Sequence, residues 1–433
     1  MLPSPFLNEE ASLAHKADFC FAGLRLEVRT ETPKHLPWVT NYFAPFFTDQ
    51  PAVSRAWTQA AFALTFVHSD ETVAWASDMI ANRTYEETPG ISTGRILRCL
   101  RLDSGERLLF APHEGTVILI DPQERRFQVA HGSKTAWPAD ILCSVMEEIL
   151  IRYLEGNSWC AYHAGAVATP QGVVLLMGGG GSGKTTLVGG LVRAGAAYVA
   201  NERCFVRTGA QAHDRLTPSH PSDTELNVNR SLNQIARADS RLQSKPENGF
   251  DFRRPALGVE ALPFPQFVNV GIGTARQFPP LSALVADRTG LAFHQRRFSQ
   301  ERVNRTPLED QDALPDKLSL SAREFAHFAG GPEPSLGGPV IGIVEPNLDL
   351  QMTNASWYRL RPDDLAKLVE GNSLERGRDR HYPNWLGLSF PPAPTETLAL
   401  AALPAGRLTF LVEPQGFRGL PDPIGLILSN LLK

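Results

Sequence analysis

Gly172-Val-Val-Leu-Leu-Met177 runs straight into Gly178-Gly-Gly-Gly-Ser-Gly-Lys184-Thr185-Thr186, and an apolar helical stretch follows. The pattern is a full Walker A signature, G-x-x-x-x-G-K-[ST], set after a predicted strand and before a predicted helix. Glycines let the chain turn sharply and remove the side chains that would keep a polyphosphate from the backbone amides. The start of the following helix adds partial positive charge at the same point. Gly179, Gly180, Gly181, Ser182, Gly183, Lys184, Thr185 and Thr186 are therefore the candidate phosphate-binding residues. Lys184 is expected to reach the β- and γ-phosphates, and the Thr185 hydroxyl to ligate Mg²⁺.

Working outward, Leu187, Val188, Leu191 and Val192 make one apolar helical face, and Ala197-Tyr-Val-Ala200 returns as a strand. This closes a strand–loop–helix–strand unit. If the returning strand lies beside the loop strand, its end delivers Asn201-Glu202-Arg203 next to the γ-phosphate. Glu202 could hold Mg²⁺ or accept the proton of an incoming hydroxyl. Upstream, Cys160-Ala-Tyr-His163-Ala-Gly-Ala-Val-Ala reads as a small, apolar strand carrying His163, ended by a turn at Thr169-Pro-Gln-Gly172.

The rest of the chain is organised around this unit. With 433 residues, two or three domains are expected. A net charge of −4 gives no electrostatic case for nucleic acid or an acidic membrane. The dispersed Cys20, Cys99, Cys143, Cys160 and Cys204 contain no C-x-x-C pair and read as reduced thiols of a cytoplasmic protein. The first residues lack a signal-peptide pattern, and no apolar run reaches 18 residues.

Residues 1–135 read as an N-terminal α+β domain of unassigned role. Its strands are Phe19–Arg29, Phe62–Val67, Arg107–Phe110, Thr116–Asp121 and Arg126–Val129, with a helix over Leu36–Phe47. Trp137–Leu154 is the clearest helix and opens the second unit, 136–433. Residues 208–262 are polar and without period, a functional excursion or an unpacked segment. Leu281–Asp287 and Pro339–Glu345 resemble buried strands ending in an acid, and Arg407–Val412 is a further strand candidate.

His163-Ala-Gly-Ala-Val, the glycine loop with Lys184-Thr185-Thr186, and Ala200-Asn201-Glu202-Arg203 together resemble the kinase domain of HPr kinase/phosphorylase. The similarity is closer to the wider group of HPr-kinase-related proteins, which shares its core with phosphoenolpyruvate carboxykinase. That group includes kinases encoded beside peptide-modification genes. The strong match spans 158–207. It implies that His163 lies near the phosphates, that Thr185 binds Mg²⁺, and that Glu202 fills the second position of an acidic pair. Asn201 departs from the pattern, since the family carries aspartate there as the expected general base. An amide cannot accept that proton, so Glu202 serves as base or transfer is slow. The family's second signature loop has no counterpart, and phosphorylase activity is not expected. Relatives often form rings, which leaves room for a homo-oligomer.

The expected fold is α/β, with a P-loop core of the HPr kinase/carboxykinase type and a separate N-terminal α+β domain. The expected activity is ATP- or GTP-dependent phosphoryl transfer with Mg²⁺ to a hydroxyl of a peptide, a protein or a small molecule. Lys184, Glu202, His163, Asn201 and Arg203 are its candidate catalytic residues, and Thr185 and Glu202 its metal ligands. The competing class is a nucleotide-gated regulatory protein with weak or no catalysis. Secondary candidates are Asp287 and Glu345 as strand-end acids, and the arginines Arg253, Arg254, Arg296, Arg297, Arg302 and Arg305, with Arg376, Arg378, Arg380 and His381 nearer the C-terminus.

Overall fold

The computed structural model describes residues 13–46, 60–89, 96–103, 105–136, 138–207, 258–286, 299–307, 310–311, 314–374, 386, 388 and 400–432. Its first part contains β1 (His15–Phe21), β2 (Leu24–Thr30), α1 (His35–Phe43), β3 (Ala60–His68), α2 (Asp70–Ala81), β4 (Glu86–Pro89), β5 (Ile96–Arg101), β6 (Arg107–Ala111), β7 (Thr116–Asp121) and β8 (Arg126–His131). The strands form one mixed sheet in the order β1-β2-β3-β8-β7-β6-β5-β4. β3 is parallel to both β2 and β8, while β6, β7 and β8 run antiparallel as their short turns require. The expectation of one strand over Phe19–Arg29 is corrected. Ala22 (φ 49) and Gly23 (φ 86) both take positive φ and fold the run into the β1–β2 hairpin.

The second part holds α3 (Pro138–Gly156), β9 (Cys160–Tyr162), β10 (Ala164–Thr169), β11 (Gly172–Met177), α4 (Lys184–Arg193), β12 (Ala197–Ala200), β13 (Cys204–Arg207) and β14 (Glu260–Pro263). It continues through β15 (Val268–Gly271), α5 (Ile272–Arg276), α6 (Pro279–Ala286), α7 (Gln300–Arg305), β16 (Lys317–Leu320), α8 (Ala322–Ala329) and β17 (Gly338–Leu348). Next come β18 (Ser356–Arg359), α9 (Pro362–Asn372), β19 (Ala405–Phe410), β20 (Val412–Glu413), β21 (Gly416–Phe417) and α10 (Pro423–Leu431). A second mixed sheet runs β12-β10-β11-β17-β14-β13-β9, with β19 pairing β17 and β18 pairing β19. Both sheets mix parallel and antiparallel pairs, so the class is α/β with mixed sheets.

Three expectations change here. Leu281–Asp287 is not a strand: Leu281 to Ala286 belong to helix α6, whose Pro279 and Pro280 suit a first turn, and Asp287 lies outside the described residues. The far end of the 208–262 segment is not unpacked, because Glu260–Pro263 pairs with β13 and β17. β12 does not lie beside β11. It pairs with β10, which separates the two and is antiparallel to both, so β11 and β12 still point the same way.

Alternation along β11 decides the layers. Val174 and Leu176 join a core that continues through α3 to the first sheet, while Val173, Leu175 and Met177 join the core beneath α9. Leu187, Val188, Leu191 and Val192 of α4 all enter the former, as their spacing predicts. Fully burying a residue of this kind stabilises by about 1.5–3 kcal/mol, so α4 and β11 are firmly seated. Among the described residues no helix is long and apolar enough to cross a membrane.

Candidate functional site

The glycine loop leaves the end of β11 and enters α4 through Gly183, which caps the helix at φ 91, with Gly181 at φ 78. Only glycine takes such angles without strain, and the first turn of α4 carries no acid to compete with an anion. Gly179, Gly180 and Gly181 are exposed, and a side chain added at any of them would meet nothing within 4 Å. The inner side is tight instead: at Gly183 a Cβ would sit 2.7 Å from the Leu348 Cβ. The Leu348 N–H donates to the Ser182 carbonyl at 3.1 Å, docking the loop on the end of β17.

Lys184 is buried, and its ammonium donates to the carbonyls of Gly178 (2.5 Å) and Gly179 (3.0 Å). Two of its three donors are thereby used within the loop, leaving one for a phosphate oxygen. Burial lowers its pKa, and Glu202 opposes that shift. Thr185 is half-buried at the helix start. Thr186 turns inward, its hydroxyl 2.8 Å from that of Thr274 on α5, which gives it a packing partner. An open loop face, a helix N-terminus and a lysine rooted below fit the triphosphate of a nucleotide.

His163 is not within a strand. It occupies the bend between β9 and β10, the single residue that separates the two strands. Its ring pairs with the backbone carbonyl of Glu202 through Nδ1 at 3.0 Å. A carbonyl only accepts, so Nδ1 carries the proton and Nε2 of the neutral ring is the acceptor. Burial lowers the His163 pKa, Lys184 and Arg203 lower it further, and Glu202 acts against them. The site thus brings together His163, Lys184, Glu202 and Arg203, from three separate stretches of chain.

Asn201 follows β12 and is only 2 % exposed, yet among the described residues neither its Oδ1 nor its Nδ2 has a hydrogen-bond partner. Buried carboxamides are nearly always bonded, which marks this one as unusual. Arg203 lies over the Phe264 ring at 5.1 Å and 4.0 Å from the Glu147 carboxylate of α3. Glu147 in turn accepts from the Tyr42 hydroxyl of α1, and burial pushes its carboxyl up to about 7. Among the described residues no group of three His, Cys, Asp or Glu could hold a metal ion, so a cation here would depend on Thr185, Glu202 and ligand oxygens.

Of the secondary candidates, Glu345, Arg302 and Arg305 are ion-paired and the rest lie outside the described residues. Glu345 is not a strand-end acid, because β17 continues to Leu348; it sits opposite Arg407 and pairs with it at 2.8 Å. Arg302 pairs with Asp316 (2.6 Å) and Arg305 with Glu301 (2.6 Å). Arg253, Arg254, Arg296, Arg297, Arg376, Arg378, Arg380 and His381 lie outside the described residues.

One residue escaped sequence reasoning altogether. Asn372, at the end of α9, accepts the Gly178 N–H on its side-chain oxygen (3.3 Å) and the His163 N–H on its backbone carbonyl (2.7 Å). A Gly-Asn pair closing an amphipathic helix signals a C-cap and nothing more. No protein-family model matches the chain, and no curated protein matches it either.

Proposed function

We propose that the chain is a nucleoside-triphosphate-dependent phosphotransferase with a P-loop core of the HPr kinase/carboxykinase type. The observation that carries this reading is the junction of an open glycine loop, a buried Lys184 and the parallel end of β12, which bears Asn201 and Glu202 beside His163. In this reading the loop amides and Lys184 hold the β- and γ-phosphates of ATP or GTP. Thr185 and Glu202 would hold Mg²⁺, which would supply charge neutralisation. The acceptor is a hydroxyl of a peptide, a protein or a small molecule. Its proton would pass to the Nε2 of His163, or to Glu202 where that carboxylate does not hold the metal. Rate acceleration comes mainly from positioning and charge stabilisation.

A second reading, a nucleotide-gated binding protein, is favoured by one feature: Asn201 stands where a carboxylate base is expected. The test is incubation with γ-labelled ATP, Mg²⁺ and a fractionated cytoplasmic extract, with Lys184→Ala as control. Label on a peptide, protein or metabolite, seen only with wild type, establishes transfer and names the acceptor class. Tight nucleotide binding with label left on ATP favours the gated protein.

A further inference from the structure

We infer that Asn372 is a positioning residue, the clamp that sets the start of the glycine loop against the His163 bend. The inference rests on the nucleotide reading above for its functional meaning. Asn372 is 7 % exposed, and its side-chain oxygen, side-chain nitrogen and backbone carbonyl are all hydrogen-bonded. Its Nδ2 donates back to the Leu368 carbonyl at 2.8 Å, which orients the carboxamide so that Oδ1 faces Gly178. Its backbone carbonyl takes the His163 N–H. Two backbone amides that begin the two halves of the site thus end on one residue, 194 positions from Gly178.

Neighbouring contacts extend the clamp. Ser373 bridges to Tyr162, and the Leu374 N–H donates to the Ala161 carbonyl at 2.9 Å, so this short stretch zips along β9. Val369, one turn back on α9, is fully buried and anchors the helix independently of Asn372. Gly178 itself is buried, and a Cβ there would lie 2.8 Å from the Ser182 Oγ, so the loop start has little room to find another partner. Without the Oδ1 acceptor the Gly178 N–H is left unpaired, and the cost falls on the conformation that opens the loop face to an anion.

The test compares wild type, Asn372→Ala, Val369→Ala and Lys184→Ala by amide hydrogen exchange of the ligand-free loop and by Mg-ATP titration. Val369→Ala loosens α9 without touching the clamp. Asn372→Ala is expected to speed Gly178 exchange and weaken Mg-ATP binding, each by about tenfold, while Val369→Ala stays within about twofold. Asn372→Asp, which keeps the acceptor, should restore slow exchange at Gly178. If wild type binds Mg-ATP and Lys184→Ala does not, yet Asn372→Ala matches wild type, the clamp is overturned and the nucleotide reading stands. If wild type binds no Mg-ATP, the nucleotide reading fails. Exchange then judges the clamp alone: unchanged Gly178 exchange in Asn372→Ala removes it, and faster exchange keeps it.

Discussion

Alanine at Gly183 should cost stability and alanine at Gly180 nucleotide affinity, although both are loop glycines. At Gly183 the backbone sits at φ 91, where a side chain costs about 1–3 kcal/mol. The new Cβ would also lie 2.7 Å from the Leu348 Cβ and 3.2 Å from the Phe410 ring. Carbon atoms prefer about 3.5–4.0 Å, so a shift of about 1 Å is needed. Leu348 cannot supply it, because its Cβ is fixed to β17 and its N–H holds the Ser182 carbonyl. Overpacking of this sort costs a further 1–3 kcal/mol or so, which places Gly183→Ala about 2–6 kcal/mol below wild type.

At Gly180 an added Cβ meets nothing, and stability should change by less than about 1 kcal/mol. The methyl nevertheless stands in the open face that the proposed reading gives to phosphate oxygens, and on that reading Mg-ATP affinity should fall at least about tenfold. Urea denaturation followed by tryptophan fluorescence gives the stabilities, and calorimetric titration gives the affinities. Gly183→Ala as stable as wild type, or Gly180→Ala binding Mg-ATP normally, refutes the reasoning.

Two further outcomes test the buried charges and the pH response. Arg152 is buried against Glu148 (2.8 Å) and Glu155 (2.8 Å), so Arg152→Met should strand the Glu148 carboxylate and cost about 3–5 kcal/mol in urea denaturation; adding Glu148→Gln should recover much of it. A single mutant within about 1 kcal/mol of wild type contradicts that pairing. Burial lowers the His35 pKa from 6.5 to about 4, with the neighbouring His131 adding to the shift. Between those values the unfolded chain binds a proton that the folded chain refuses. Wild-type stability measured against His35→Gln should therefore be greatest above pH 6.5 and shrink as pH falls toward 4. A gap independent of pH removes His35 from the account.

What could be read in advance was local. The glycine loop, α3 and α4 carry their own signals: glycines at set positions, or apolar residues recurring every three to four. Short apolar runs gave way. Leu281–Ala286 has no period that separates strand from helix, and the two prolines before it were the usable clue. The Phe19–Arg29 run hid its turn because Ala22-Gly23 interrupts no hydrophobic stretch. Contacts between distant segments had no local trace. Neither β10 lying between β11 and β12 nor Asn372 reaching Gly178 follows from any spacing. His163 and Glu202 could be named as candidates, but the bond from the His163 ring to the Glu202 carbonyl depends on the β9–β10 bend.

Direct calorimetric titration of Mg-ATP and Mg-GTP into wild type and Lys184→Ala tests the central claim. Saturable binding by wild type, lost or weakened at least about tenfold in a folded Lys184→Ala protein, is the predicted result. No binding by wild type, or equal affinity in the two proteins, contradicts it.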